Sequence, residues 1–519
     1  MRWPGTRIAF LSCALSITSL TTLHAPQAMA EDRVDVVAPW EISSLDPAQA
    51  GLIFGRMQVA ETLVDSDLSG ELTPGLATAW NSDDGKTWHF TLRQGVKFHD
   101  GSEMTPQSVV DSLRQALQRP GVLQQADVTS IEVEDASEGE SDGLRIELGS
   151  PYALLPAMLT HYSTQILAPG AYGETGKVIQ LVATGPFKIT SLQAPQRLEA
   201  ERFDAYWGKA PMIPGVSYLA TPRGETRALM AQSGDADIAF TLDAASQARL
   251  RMAPHLKVHA EPIPRTVAIK VNADNPRFDT LQARRAISLA INREGIARGV
   301  MRVEDAAANQ LLPPGVADWH LSGQPAPVQD LERARSLLAG EGWQPGDDGI
   351  LVRDGERFTA TLTTFADRPE LPIIATALQD QFRQLGLDVA VNVGNASEIP
   401  STHQDGSLEM GLMARNFGLV PDPLPILLQD YGPEGGDWGA MGWSSTDLTA
   451  HFERLRQTAD PHQRRQSSQQ AAAILQAELP VIPVAWYVQT AAVNASLEGF
   501  AIDPFERSYR LSDLQWKKS

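Results

Sequence analysis

Residues 374–393 narrow the choice of fold more than any other part of the chain. Ile374, Leu378, Phe382 and Leu385 recur at helical spacing, Gly386 stops the pattern, and Leu387, Val389, Val391 and Val393 then alternate. A change of hydrophobic period from 3.6 to 2 across one glycine marks an αβ unit. Related signals run along the rest of the sequence. In residues 87–93, Trp88, Phe90 and Leu92 face one way and Thr87, His89 and Thr91 the other, as in a half-buried strand. Thr105-Pro106 predicts a helix start, with a hydroxyl cap followed by proline in the first turn. Asp279 with Gln282 reads as a capping box. Leu331, Ala334, Leu337 and Leu338 form a stripe that ends at Gly340, Asp460-Pro461 opens another helix, and residues 481–488 read as a buried strand. Alternating strand and helix signals predict an α/β chain. At 519 residues it exceeds one core and suits two or three domains.

The N-terminus predicts export. Arg2 and Arg7 precede an apolar run over residues 8–23, and Ala28-Met29-Ala30 places small residues where a signal peptidase reads them. Ser and Thr interrupt the run, whereas a membrane anchor needs about 20 unbroken apolar residues. The expectation is a signal peptide over 1–30, cleavage after Ala30 and a periplasmic product. Cys13, the one cysteine, falls inside that run, so the exported chain would rely on packing without disulfides or thiolate metal ligands. Acidic residues number 63 against 43 basic ones, for a net charge of −20. That balance argues against nucleic acid, whose phosphates need Lys and Arg clusters, and against anionic membrane surfaces.

Motifs for catalysis are absent. The sequence has no His-Glu-x-x-His, no Gly-x-Ser-x-Gly and no phosphate-binding Gly-x-x-x-x-Gly-Lys-Ser/Thr. Its ten histidines lack metal-ligand spacing, and Gly436-x-x-Gly439-x-x-Gly442 does not follow a strand as a dinucleotide site requires. The expectation is no enzyme, no resident cofactor and no built-in metal site, with a secreted hydrolase as the competing class, because 63 acids include chance carboxylate pairs.

Seven stretches in order carry a resemblance. They are Ser44-Leu45-Asp46-Pro47, the run 84–101 (DGKTWHFTLRQGVKFHDG), Ala183-Thr184-Gly185-Pro186-Phe187, Tyr206-Trp207-Gly208, Gly234-Asp235-Ala236-Asp237, residues 283–292 ending in Ala-Ile-Asn, and residues 334–343 ending in Gly-Trp. Together they resemble the peptide/nickel class, family 5, of extracytoplasmic solute-binding proteins of ABC importers, with overall spacing closest to the nickel-chelate branch. The resemblance implies a periplasmic-binding-protein type II-like α/β fold of two lobes with an extra subdomain on the first. It maps lobe 1 to 31–265 with a return at 481–519, lobe 2 to 266–480, the subdomain to about 70–190 and the crossovers to 265–271 and 482–488. It also implies a monomer that closes on a small-molecule, peptide or metal-chelate ligand and presents the closed shape to an inner-membrane ABC permease. A metal would enter only within such a chelate.

The same resemblance suggests where the ligand sits. Peptide binders hold the free amine with an aspartate four residues before an Asp-Pro pair; here the pair is Asp422-Pro423 and that position is Leu419, which disfavours free-amine peptides. The nickel branch uses two arginines and a tryptophan, and the matching positions are Val122, Tyr162 and Phe417; its mobile histidine has no counterpart between Phe417 and Trp443. Arg415, Asn416 and Phe417 then suit an anionic, planar or metal-chelated solute. Trp438, near Asp437 and Trp443 in a glycine-rich loop, is a candidate stacking residue. Phe54, Arg56, His161 and Tyr162 are candidates from the first lobe, and Arg265 from a crossover. On this reading, Arg415→Ala weakens an anionic ligand and leaves its lobe folded. Two solute classes stay open: metal chelates or related small anionic metabolites, and di- or oligopeptides.

Overall fold

A computed structural model describes residues 33–134, 142–433 and 435–518. The signal segment with Cys13, and the cleavage point after Ala30, lie outside the described residues.

A ten-stranded mixed sheet runs through both halves of the molecule. In chain order its strands are β1 (Val34–Ala38), β2 (Phe187–Gln193), β3 (Arg197–Arg202), β4 (Gly215–Ala220), β5 (Ile238–Phe240), β6 (Leu256–Val271), β7 (Thr359–Phe365), β8 (Asp388–Gly394), β9 (Met410–Asn416) and β10 (Val481–Asn494). Their order across the sheet is β8-β7-β9-β6-β10-β5-β1-β4-β3-β2. The two long strands β6 and β10 are antiparallel from Leu256 opposite Asn494 to Lys270 opposite Val481. Their register breaks between Pro262 and Thr266, as proline, with no N–H to donate, predicts. The break is where the core changes hands. Residues Ile263 to Val271 and Val481 to Tyr487 pack with the second-lobe core, whereas Leu256, Ala491, Ala492 and Val493 pack with first-lobe clusters. The crossovers are thus a continuous piece of sheet with a flaw in it.

Most helix signals took effect. Thr105 caps Pro106–Leu117 in a box with Ser108, Asp460 caps Pro461–Glu478, and Gly386 ends Glu370–Leu385 at φ 102°, a left-handed conformation that costs glycine little. One shifted. Thr280, not Asp279, caps Leu281–Ala290, its side chain accepting from the N–H of Ala283. Either residue type can do this, and the strand-side geometry selects between neighbours.

The extra subdomain has its own four-stranded antiparallel sheet, in the order Ala77–Asn81, Thr87–Leu92, Gly143–Leu148, Val128–Glu134. Its core draws on residues from Leu63 to Ala168. Ala171, Val178, Leu181, Ala183 and Phe187, which fall inside the range read for the subdomain, pack in the first-lobe core instead. Val420 of the second lobe is fully buried in the subdomain core. Burying one valine stabilises that contact by about 1.5–3 kcal/mol. The N–H of Ala153 also donates to the Arg456 carbonyl at 2.9 Å, so the lobes are closed on one another.

Candidate functional site

The candidate site is built at the junction of these parts. Strand β9 delivers Arg415 and Asn416 side by side, and adjacent strand residues face opposite ways. Register places Asn416 opposite Arg265 and Arg415 opposite Thr266 on β6. The row Arg415-Asn416-Phe417 therefore cannot present three side chains to one ligand. Each has a separate task.

Arg415 makes a forked pair with Asp430 on the helix Leu424–Tyr431: Nε to Oδ2 at 2.6 Å and Nη2 to Oδ1 at 2.8 Å. The Asp430 side chain is 1 % exposed and that of Arg415 14 %, so the guanidinium keeps an open edge. Burial pushes the Asp430 carboxyl up, and Arg415 draws it back. Because Asp430 depends on this partner, Arg415→Ala would strand a buried carboxylate. The expectation that the lobe tolerates that change is corrected here.

Behind the pair lies Lys270, fully buried on β6. Its Nζ donates to the carbonyls of Gly436 and Asp437 at 2.8 and 3.0 Å and to His403 Nδ1 at 2.5 Å. Burial pushes the ammonium down to about 7, against the pull of Asp430 and Asp437. These bonds hold the glycine-rich loop over the Arg415–Asp430 pair. The loop's close fit requires Gly439, where a Cβ would stand 2.0 Å from the Asp430 carbonyl oxygen.

Across the junction, His161 and Tyr162 belong to a short turn of the first lobe, with ring centroids 4.0 Å apart. The Arg415 charge reaches both. Burial and then Arg415 push the His161 imidazole from 6.5 down to about 3, so it is neutral. Burial raises the Tyr162 hydroxyl, while Arg415 and Arg56 oppose the rise. Tyr162 also lines a cavity of about 310 Å³, with Gly55, Gln165, Leu419, Arg507 and Ser508 among its other walls. Deeper in the same cavity, Glu61 accepts from Thr184 Oγ1 at 2.7 Å, Tyr206 Oη at 2.8 Å and Trp207 Nε1 at 3.0 Å. Burial raises its carboxyl to about 7 despite those donors.

The structure corrects several expectations. Phe417 and Phe54 are fully buried in the second- and first-lobe cores, where apolar packing outcompetes exposure to a ligand. Asn416 donates to Glu506 Oε2 at 2.8 Å and accepts from the N–H of Gly418 at 2.7 Å. Arg56 donates from Nε to the backbone carbonyl of Glu506 at 2.7 Å, and Arg265 is ion-paired to the Glu506 carboxylate. His161 is a buried cap whose Nδ1 accepts from the N–H of Ser163 at 3.2 Å. Trp438 packs edge-on to Phe365, with centroids 6.3 Å apart; neither it nor Arg415 is among the cavity walls. Of the eight candidates, Arg415, Tyr162 and Trp438 are partly open, and of these three Tyr162 lines the cavity. Asp422 is engaged by Arg464 Nη2 at 2.6 Å and by the N–H of Leu424 at 2.8 Å. Among the described residues no group of three or more His, Cys, Asp or Glu side chains is placed to hold a metal ion.

Sequence reading missed Asp430, Glu506, Lys270 and Arg368. Asp430 had a signal, an acid inside the apolar helix LPILLQDY. Glu506 had none, because its partners come from four separate segments.

The buried histidine sets a pH dependence. Unfolded, His161 takes up a proton near 6.5; folded, it does so only near 3. Its contribution to stability is therefore complete above pH 6.5 and declines by about 1.4 kcal/mol per pH unit below it. His99, pushed from 6.5 down to about 4 by burial, acts in the same direction. Glu61 acts oppositely, since its raised carboxyl stabilises the fold at low pH and loses that effect as pH rises toward about 7. Urea unfolding at pH 7, 6 and 5 should show a His161→Gln slope shallower than wild type by about one proton; equal slopes would contradict the assignment.

Comparison with known proteins places the chain. The family model described as bacterial extracellular solute-binding proteins, family 5, matches residues 71–438. The chain belongs to this family. As a family 5 protein it is the solute-binding component of an ABC importer. The nickel-binding periplasmic protein of Escherichia coli is 28 % identical over 445 residues, spanning 81 % of this chain and 83 % of that protein. A glutathione-binding protein of Salmonella typhi is 25 % identical over 437 residues, spanning 82 % of each. Among solved structures, NikA of Brucella suis with Fe(III)-EDTA superposes with a TM-score of 0.83 at 21 % identity, covering 93 % of this chain and all of that one. The oligopeptide-binding protein AppA of Bacillus subtilis with a nonapeptide gives 0.81 at 20 % identity, covering 94 % and 99 %. Both show the two-lobed fold. The relatives of this family 5 chain are transport proteins.

Proposed function

We propose that this protein is exported through its N-terminal segment and captures one small carboxylate-bearing solute, peptide-like or a metal chelate, for delivery to an ABC permease. The observation that carries this reading is the open edge of Arg415. Its forked pair with buried Asp430 fixes the guanidinium in orientation, and its charge faces Tyr162 of the opposite lobe. A fixed guanidinium binds a carboxylate in two places and loses little freedom in doing so. Contacts made to both lobes favour the closed form, which a permease would recognise. A metal arrives as cargo, within the chelate. The chain works as a monomer without a resident cofactor.

Free-amine peptides are the second reading. Leu419 stands on the cavity wall where an ammonium partner would be needed, and Asp422 is committed to Arg464. A panel of dipeptides, N-acetyl dipeptides, nickel–histidine and opines, each with its methyl ester, separates the two. A ligand at 100 times its Kd stabilises by about 2.7 kcal/mol. Carboxylate forms should raise Tm and their esters should not. Free-amine peptides raising Tm most, with N-acetyl forms inert, would reverse the ranking. Shifts that survive esterification would remove Arg415 from the site.

A further inference from the structure

We infer that Glu506 is a positioning residue for lobe closure: its carboxylate, carried by the C-terminal segment of the first lobe, is the group that the hinge strand and the second lobe grip when the halves meet. This inference is independent of the solute. Residues 503–508 form a hook on Asp503, whose Oδ1 accepts from the N–H of Phe505 at 2.9 Å and whose Oδ2 accepts from those of Arg507 and Ser508 at 3.1 Å. The hook holds Glu506 at φ 56°, a conformation that residues with a side chain adopt only where surrounding contacts impose it.

Four segments converge on that side chain. Arg56, at the end of the helix Pro47–Arg56, donates to the Glu506 carbonyl at 2.7 Å and to Oε1 at 3.3 Å. Arg265 on β6 donates to Oε2. Asn416 on β9, in the second lobe, donates to Oε2 at 2.8 Å. Arg368, after β7, lies near enough for its charge to act on the carboxylate, its guanidinium 4.9 Å from the centre of the Tyr487 ring. Burial by itself would raise the carboxyl; Arg265, Arg56 and Arg368 bring it below its ordinary value. A desolvated carboxylate needs its donors. Swinging the second lobe away would take Asn416 and Arg368 from Glu506 and leave a buried carboxylate short of partners, a cost that adds to the interlobe contacts of Val420 and Ala153 in favouring the closed arrangement.

The sole cysteine of the sequence is Cys13, so spin labels can be placed selectively on the exported chain. Leu229→Cys in the first lobe and Val328→Cys in the second lie at exposed positions, 56 % and 77 %. Double electron–electron resonance on samples whose native mass shows no bound solute then reports the interlobe distance. Glu506→Gln should move the closed-to-open ratio at least tenfold toward the long distance. Asn416→Ala, which removes the second-lobe donor together with the acceptor of the Gly418 N–H, should move it the same way by a smaller factor. An unchanged distance distribution in both variants would overturn the inference, whatever happens to Tm. Should Glu506→Gln fail to fold, an unchanged distribution in Asn416→Ala alone would overturn it.

Discussion

Asp430→Ala is expected to destabilise the protein by about 3–5 kcal/mol and to abolish tight solute capture, the largest combined effect of any single change at the junction. The loss has two sources. Arg415 loses the carboxylate that holds its Nε and Nη2, and Lys270, fully buried, loses the nearest charge that offsets its desolvation. The backbone bond from the N–H of Ala440 to the Asp430 carbonyl, 2.8 Å, survives the substitution, so the loop keeps that anchor. Urea unfolding at pH 7 measures the first effect, and titration of an active panel compound at low temperature the second. A stability change below about 1 kcal/mol would mean the pair behaves as a surface ion pair. The double variant Arg415→Met, Asp430→Leu separates the two roles. Exchanging a buried pair for apolar side chains is often neutral for stability, so this protein should recover the part of the loss that comes from the stranded Arg415, keep the part that comes from Lys270, and fail to bind.

Phe417→Ala is expected to cost about 3–5 kcal/mol while leaving affinity nearly unchanged wherever the protein stays folded. Phe417 has no exposed surface and packs with the second-lobe core, and its N–H donates to the Pro264 carbonyl at 2.7 Å. Truncation leaves a cavity in the second-lobe core that neighbouring backbone cannot collapse to fill. Phe417→Leu, which keeps most of the volume, should cost far less. Calorimetric Tm together with binding of the same panel compound tests this. A large loss of affinity with unchanged Tm would return Phe417 to the ligand.

The contrast between Arg415 and Phe417 shows what local pattern conveys. Both stood out as neighbours of a loop in the second lobe. Alternation alone would put residues 415 and 417 on one face; that one is partly open and the other fully enclosed follows from the end of β9 at Asn416. The hinge was legible in outline, because residues 481–488 read as a buried strand and the family resemblance put the crossovers at 265–271 and 482–488. The flaw between Pro262 and Thr266 that separates the cores appears only once β10 is laid beside β6.

Sequence alone determined the αβ alternation, the helix caps at Thr105 and Asp460, the glycine stop at Gly386 and the order of motifs that marks family 5. Each of these is a local matter of period, capping or backbone freedom, decided within a few residues. Tertiary structure alone decided that Arg415 is steered by Asp430, that Lys270 holds a loop, and that Glu506 joins residues as distant as Arg56 and Asn416. Burial is the physical reason. A charge removed from water must find partners wherever the fold brings them, and sequence separation places no limit on where that is.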